Sequence, residues 1–501
     1  MPKKRYFVFV IFAFAAMLFI TARFFYFSVL KNDFFTSLAT TQQTASTKIR
    51  SLRGNIYDRN MIKLTNRISS DMYLSSEGKI TALKTPYAFR DTVRYSPCAS
   101  ACHIIGHTDS DSNGIAGIEK AFDSYLRSDS FSKVSYFSDA TGSPRGELKK
   151  ISPRSTAADV VLTLDSHIQK IVADALKKHI TTGAAVVLDT TSFDLLACVS
   201  LPEYEASSVE SYMNSQQGEL LNRALMAYDA GSVFKTVTSA AAFSKNPLYH
   251  NRLFWCNGAF SPDNSRHFEC HKKDGHGLIT MQEAFAQSCN CAFYETGLCT
   301  GASDICTMAR AFGFGEKVLN TDIGESCGNI PQKLAYSNYE TLNLSIGQGE
   351  ILITPLQCTL MCATVANNGL RKQVNLVSSV ISPDNSCNNS FYDVSTSRSI
   401  SPQIAELIAA MMREAVVGGT ASSAMQSSVT IAGKTGSAQT GWLNSDGTYK
   451  VHGWFCGFFP YENPRYAMTV FCEDGKSGAL SCVDPFVEIA ENIMRIYPVR
   501  E

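Results

Sequence analysis

An α+β fold is predicted for this chain, with one sheet assembled from two distant stretches and a helical lobe between them. Three observations carry the expectation. Strand-like runs occur at Val160 to Asp165, Gly183 to Asp189 and Leu195 to Val199, and return at Ser428 to Gly433, Trp454 to Phe459 and Tyr466 to Cys472. Helical patterns dominate from about Val233 to Asn367. A single long apolar run precedes everything else, at Tyr6 to Ala22 and Phe24 to Leu30.

That run is long enough to cross a hydrocarbon core as a helix. Lys3, Lys4 and Arg5 before it predict a cytoplasmic N-terminus and an exported remainder. A cleaved signal peptide is the alternative, but Ala15-Ala16 lies inside the apolar run, and no small-x-small site is followed by a polar start. Arg23 sits where it can snorkel to the interface. The run is therefore read as an uncleaved anchor, and no later segment is apolar enough to span again.

Composition narrows the class without naming a function. The 501 residues carry 45 Lys+Arg against 45 Asp+Glu, so nothing points to nucleic acid or a polyanionic partner. The 16 cysteines are scattered, and several, such as Cys358 and Cys362, fall in apolar helical patterns where a thiol packs as a small hydrophobe. Most are read as reduced. Cys256 and Cys270 flank a polar loop, and a bridge between them stays open.

Beyond the anchor, Asn32 to Arg53 is polar and helix-compatible, as a stalk would be. Arg53-Gly54-Asn55-Ile56-Tyr57-Asp58-Arg59-Asn60 combines turn formers with a β-prone centre. From there to about Arg154 short strands and loops are expected. Asp165 caps a helix from Ser166 to His179. Ser382 to Ser390 reads as loop, and Pro485 to Ile496 as a final helix. The expected domains are a tail at 1–5, the anchor at 6–30, a β-rich region at 31–158 and the main domain at 159–501.

Three short motifs occur in order. In Ser232-Val233-Phe234-Lys235, positions i and i+3 share a helix face, so the Lys235 amine can reach the Ser232 hydroxyl. A serine attacks poorly without a base, and a buried lysine with a depressed pKa can be one. Ser288-Cys289-Asn290 follows at the end of a helical pattern, offering a hydroxyl for proton transfer and an amide for a substrate carbonyl. Lys434-Thr435-Gly436-Ser437 follows the strand-like Val429 to Gly433, with a positive charge, a hydroxyl and room for close approach. Each tripeptide alone is common by chance: a solvated helix face or a plain turn explains it. Together, order and spacing make them specific.

With these motifs the chain resembles the class B penicillin-binding proteins, monofunctional peptidoglycan D,D-transpeptidases. Leu221-Asn222-Arg223-Ala224, Leu344-Ser345-Ile346-Gly347-Gln348-Gly349-Glu350, Thr354-Pro355-Leu356-Gln357 and Gly418-Gly419-Thr420-Ala421 are similar to other stretches of that family. So are Arg53-Gly54 through Asp58-Arg59 and Gly114 to Glu119 near the N-terminus. Ala230 stands where the family usually has Pro, and Val233 where Thr is common; neither position supplies a catalytic group. The resemblance implies an antiparallel sheet flanked by helices, with an all-helical lobe, on an elongated β-rich pedestal. It leaves no room for a glycosyltransferase domain before residue 159 and no binding module after Ile496.

It also implies roles. Ser232 attacks the penultimate D-Ala carbonyl of a stem peptide, with Lys235 as general base. The N–H groups of Ser232 and Ser437 form the oxyanion hole. Ser288 relays a proton to departing D-Ala, Asn290 positions the donor, Lys434 and Thr435 hold its carboxylate, and Gly436 admits the acyl group. An amine from a second stem peptide resolves the acyl-enzyme, and β-lactams acylate the same serine. The implied partners are peptidoglycan, the membrane and a membrane-embedded glycosyltransferase; no cofactor or metal is expected.

Cys256, His267, Cys270, His271 and His276 lie close in sequence, but their spacing fits no zinc-finger pattern, so they are read as a loop over the cleft. His103 and His107 flank what reads as a strand and turn and are taken as structural. Among rivals, a class A β-lactamase needs a Glu-x-x-Leu-Asn element that is missing, and a class D enzyme carries an aromatic where Ser288 stands. A sensor domain would have several membrane helices. A non-catalytic scaffold is disfavoured by three intact motifs.

Overall fold

The computed structural model describes residues 2–96, 100–263, 266–333, 335–384, 387–391, 395–443 and 447–498. The chain divides into two compact units. One holds residues up to Leu52, Ile68–Val93 and Ser128–Thr156; the other holds Arg53–Arg67, Arg94–Arg127 and Ala157 onward.

In the first unit, a helix at Pro2–Phe25 continues as a π-helical turn at Tyr26–Leu30. The stretch Lys3–Leu30 has 28 residues and a mean hydropathy of 2.3, enough by length and composition to cross a membrane. The helical stalk expected to run to Arg53 ends earlier. Asn32–Gln43 is helical, but Thr44–Arg53 is a strand. Thr44, Thr47 and Ile49 are β-branched, and burial along the segment roughly alternates, so pairing with Arg127–Ser138 outweighs the helical reading. Pro144–Ile151 completes that sheet. A second sheet orders Ile80–Thr81, Ile68–Leu74 and Ala88–Val93, and Leu74, Phe89, Val134 and Tyr136 form a small core.

The second unit is built on a five-stranded antiparallel sheet in the order Leu195–Leu201, Gly183–Asp189, Tyr466–Gly475, Tyr449–Phe459, Ala432–Leu443. Its N- and C-terminal strands meet at its centre, where Val187 pairs with Met468. Both faces are covered, so these strands read as continuous apolar runs rather than alternating ones. Ala185 and Val187 pack with the helices Ser166–His179 and Gly478–Ile496. Ala184, Val186 and Leu188 join the larger core, against the helix Pro355–Ala366. In that helix Cys358 and Cys362 are fully buried. Every cysteine with a described side chain is a free thiol, Cys256 and Cys270 included.

Asp165 caps Ser166–His179 as expected, accepting from the N–H groups of His167 and Ile168. Four sequence readings are corrected. The strand assigned to Ser428–Gly433 begins only at Ala432 and runs to Leu443, so the Lys434-Thr435-Gly436 triplet lies within a strand and not after one. The last helix starts at Gly478, with Pro485 inside it. Proline was taken as a start signal, but here Ser477 caps the helix by accepting from the Leu480 N–H. Cys387–Ser390, within the expected loop, is a strand beside Val377–Ile381; Asn385 and Ser386 lie outside the described residues. Cys102–Ile105, around His103, is a helical turn and not a strand.

Two N-terminal stretches of the second unit meet through charge. Arg53 donates to the Glu119 carboxylate at 2.6 Å and pairs with Asp123 at 2.7 Å, while Arg94 reaches Glu119 at 2.7 Å. Asp58, fully buried, accepts from the N–H groups of Asn60 and Ile62 and from the N–H and hydroxyl of Ser166.

Candidate active site

The first motif is set by close packing. Gly231, at φ 57°, opens a 3-10 turn through Phe234, and Lys235 begins the helix Lys235–Lys245. The Gly231 N–H donates to the Gly347 carbonyl at 2.8 Å, and the Trp454 indole donates to the Asp229 carbonyl at 3.1 Å. The strand Ala432–Leu443 lies against this turn. A Cβ on Gly436 would stand 2.9 Å from Val233 Cγ1, and one on Gly231 would stand 2.7 Å from the Ser437 carbonyl oxygen. Two glycines in register thus bring the Ser232 turn and the Ser437 backbone together; no side chain fits between them.

Lys235 is fully buried, and its ammonium donates to the Ser288 carbonyl at 2.7 Å, the Ser288 hydroxyl at 3.2 Å and Asn290 Oδ1 at 2.8 Å. Among the described residues it makes no hydrogen bond to Ser232; its donors go to the second motif. Burial pushes its pKa down to about 8, which makes loss of a proton near neutral pH accessible. Ser288 sits at φ 55°, a left-handed conformation that is strained for a residue with a Cβ. The short helix Met281–Ala286 ends just before it, and Asn290 starts the helix Asn290–Thr300. Asn290 also donates to the Glu269 carbonyl at 3.3 Å.

Lys434 is fully buried and donates to the Thr435 carbonyl at 3.0 Å. Burial, with Lys235 nearby, holds its pKa well below the usual lysine range. The Thr435 hydroxyl stands 2.5 Å from that of Thr420. Ser437 Oγ accepts from the Gly478 N–H at 3.1 Å, joining the strand to the last helix. Ser232, Ser288, Asn290, Thr435, Gly436 and Ser437 all line one cleft of 730 Å³. Lys235 and Lys434 lie beneath its floor, fully buried.

Sequence reading placed Gly418-Gly419-Thr420-Ala421 without a task; the structure puts Thr420 in the cleft, bonded to Thr435. A hydroxyl beside two glycines was the only signal, and the hydroxyl pair is visible only once the strand is in place. Cys270 and His271 also line the cleft, as the expected overlying loop would.

Comparisons with known proteins agree with this geometry. The family model described as "Penicillin binding protein transpeptidase domain" matches residues 183–495, well over half of the chain. A protein named peptidoglycan D,D-transpeptidase PbpA, from Mycolicibacterium smegmatis, is 31% identical over 345 residues, covering 64% of this chain and 68% of that protein. Among solved structures, penicillin binding protein 3 from Mycobacterium tuberculosis, complexed with aztreonam, superposes with a TM-score of 0.70 at 24% identity, over 91% of this chain and 98% of that one. A chain from a peptidoglycan synthase complex, reported for the coordination of polymerization and crosslinking, reaches 0.72 at 22% identity over 99% of both chains. With three motifs in one cleft and a family model spanning the sheet and its helices, this chain belongs to the penicillin-binding protein transpeptidase family, as a class B penicillin-binding protein.

Proposed function

We propose that this chain is a peptidoglycan D,D-transpeptidase that works through an acyl-serine on Ser232. The observation carrying this reading is the grip of the buried Lys235 ammonium on Ser288 and Asn290, directly under the cleft that Ser232 lines. Lys235 in its neutral form takes the Ser232 proton as the hydroxyl attacks the penultimate D-Ala carbonyl. The oxyanion is held by the N–H groups of Ser232 and Ser437, brought close by Gly231 and Gly436; one such donor contributes about 3–4 kcal/mol. The proton returns through Ser288, hydrogen-bonded to Lys235, to the nitrogen of departing D-Ala.

Asn290 positions the donor peptide. Thr435, with Thr420 beside it, binds the terminal carboxylate, and the charge of Lys434 favours that anion from below. An amine of a second stem peptide then attacks the ester; water in its place gives a D,D-carboxypeptidase side reaction. The aztreonam complex of the mycobacterial relative supports β-lactams as inhibitors at the same serine. The stretch Lys3–Leu30 anchors the chain with its N-terminus in the cytoplasm and the cleft outside. The synthase-complex neighbour supports a membrane-embedded glycosyltransferase as partner.

The test is intact-mass spectrometry of the full chain in detergent after mixing with benzylpenicillin, beside Ser232→Ala. A stable adduct in wild type, lost in the mutant, is expected. Turnover of drug without accumulation would indicate a β-lactamase, and no reaction in either protein would sink the acyl-serine reading.

A further inference from the structure

The second motif carries a cysteine that the proposed chemistry does not use. Cys289 lies between Ser288 and Asn290, is fully buried, and caps the helix Asn290–Thr300. Its thiol stands 4.0 Å from that of Cys270. His276 Nδ1 lies 3.5 Å from Cys256 Sγ and 3.6 Å from Cys270 Sγ. All four ligand atoms fall within 4.8 Å of one another. A tetrahedral zinc ion, with Zn–S about 2.3 Å and Zn–N about 2.0–2.1 Å, has ligand–ligand edges of about 3.8 Å between sulfurs and about 3.6 Å between sulfur and nitrogen. The measured edges match those values, and they are far longer than the sulfur–sulfur bond of a disulfide, about 2.05 Å.

The surroundings suit an ion rather than a chance cluster. Cys256 and Cys270 are buried, and His276 is half-buried. Cys256 ends a strand whose partner starts at Gly277, one residue after His276. The Cys270 N–H donates to the Gly258 carbonyl at 2.8 Å, which folds the intervening loop back over the first ligand. Three buried thiols converging on one imidazole are a soft donor set of the kind structural zinc sites use. In sequence the ligands are spaced C-x13-C-x5-H-x12-C, which matches no finger pattern; the fourth ligand is hidden inside an active-site motif.

We propose that Cys256, Cys270, His276 and Cys289 form a zinc site that holds the Ser288–Asn290 turn in place. Three thiols lose their protons on binding and the imidazole stays neutral, so the centre carries a net charge of about −1. The ion ties the Cys256–Gly277 hairpin to the residue flanked by both acceptors of Lys235. It thereby makes the strained Ser288 conformation part of a cross-linked unit. These are positioning residues; the claim that they position for acylation rests on the acyl-serine reading above, whereas the metal site stands without it.

The test uses the full chain in detergent. Metal analysis should find about one zinc ion per chain. Cobalt(II) exchanged into it should show the visible bands of a tetrahedral thiolate site, and His276→Ala should lose both. His276→Cys, which restores a fourth soft ligand, should keep the zinc. Because Ala variants can misfold, wild type is also treated with a chelator and reloaded: the thiols should become reactive to a disulfide reagent and be protected again by zinc. No zinc before or after loading, stoichiometric iron instead, or a Cys256–Cys270 disulfide in a non-reducing peptide map would each overturn the proposal. Acylation by a fluorescent penicillin should slow by about tenfold or more on chelation and recover with zinc or in His276→Cys. Unchanged acylation in zinc-free protein would overturn the positioning role. A zinc-loaded wild type that never acylates would instead count against Ser232 as nucleophile, with the metal content unaffected.

Discussion

At the scale of single residues, the cleft depends on a few side chains held in costly states. Lys235 is fully buried with its ammonium shared between Ser288 and Asn290, and burial lowers its pKa to about 8. Lys235→Met keeps the volume and removes the base; acylation by benzylpenicillin, followed by stopped-flow fluorescence, should fall about 10²–10⁴-fold. Ser288 holds a left-handed backbone that glycine adopts without strain. Ser288→Gly should therefore leave the thermal midpoint unchanged or slightly raised while acylation slows, which separates the hydroxyl's role from its backbone's. A matching loss of stability and rate would show instead that the turn depends on the serine side chain. The Ser-x-x-Lys spacing was legible in the sequence. That the lysine hydrogen-bonds the second motif was not, because that contact joins residues more than fifty positions apart.

At the scale of elements, buried charge and glycine packing decide how segments dock. Arg53, Arg94 and Glu119 form a cluster in which the Glu119 side chain is 0% and the Arg53 side chain 3% exposed. Removing one partner of such a cluster leaves an unpaired buried charge, at a cost of about 3–5 kcal/mol. Glu119→Gln should lower the thermal midpoint of the full chain by several degrees, read by differential scanning calorimetry, and a shift of under a degree would refute the argument. Both stretches were singled out in the sequence, Arg53-Gly54 and Gly114 to Glu119, yet their pairing was not predicted. Strand and helix misreadings share a cause. Pro485 inside a helix and Thr44–Arg53 as a strand are both cases where capping or cross-strand partners outweigh local propensity.

At the scale of the whole molecule, stability carries a pH signature. His103 is buried, its Nε2 lies 2.7 Å from the Glu219 carbonyl, and burial with Arg223 nearby lowers its pKa to about 4. Above pH ~6.5 the imidazole is neutral whether folded or unfolded. As pH falls from ~6.5 to ~4, the unfolded chain takes up a proton that the folded one refuses, so stability falls by about 3 kcal/mol over that window. Glu325 acts oppositely: burial raises its carboxyl to about 7, so its contribution is lost as pH rises from its ordinary value through 7. The informative quantity is thus the difference between wild type and His103→Gln. Denaturant midpoints at pH 7 and pH 4.5 should converge for the variant relative to wild type, and parallel pH dependence of the two would reject the assignment.

The sequence by itself determined the apolar N-terminal helix, the three motifs in their order, the capped helix after Asp165 and the buried strands that open and close the main domain. These are legible because they rest on local chemistry: apolar length, cap residues and short spacings. Tertiary structure alone decided the rest. It placed Lys434-Thr435-Gly436 inside a strand, paired Thr420 with Thr435, and joined Cys289 to Cys256, Cys270 and His276. Each of these depends on which segments pack side by side, and that follows from burial of the whole core, which no local pattern encodes.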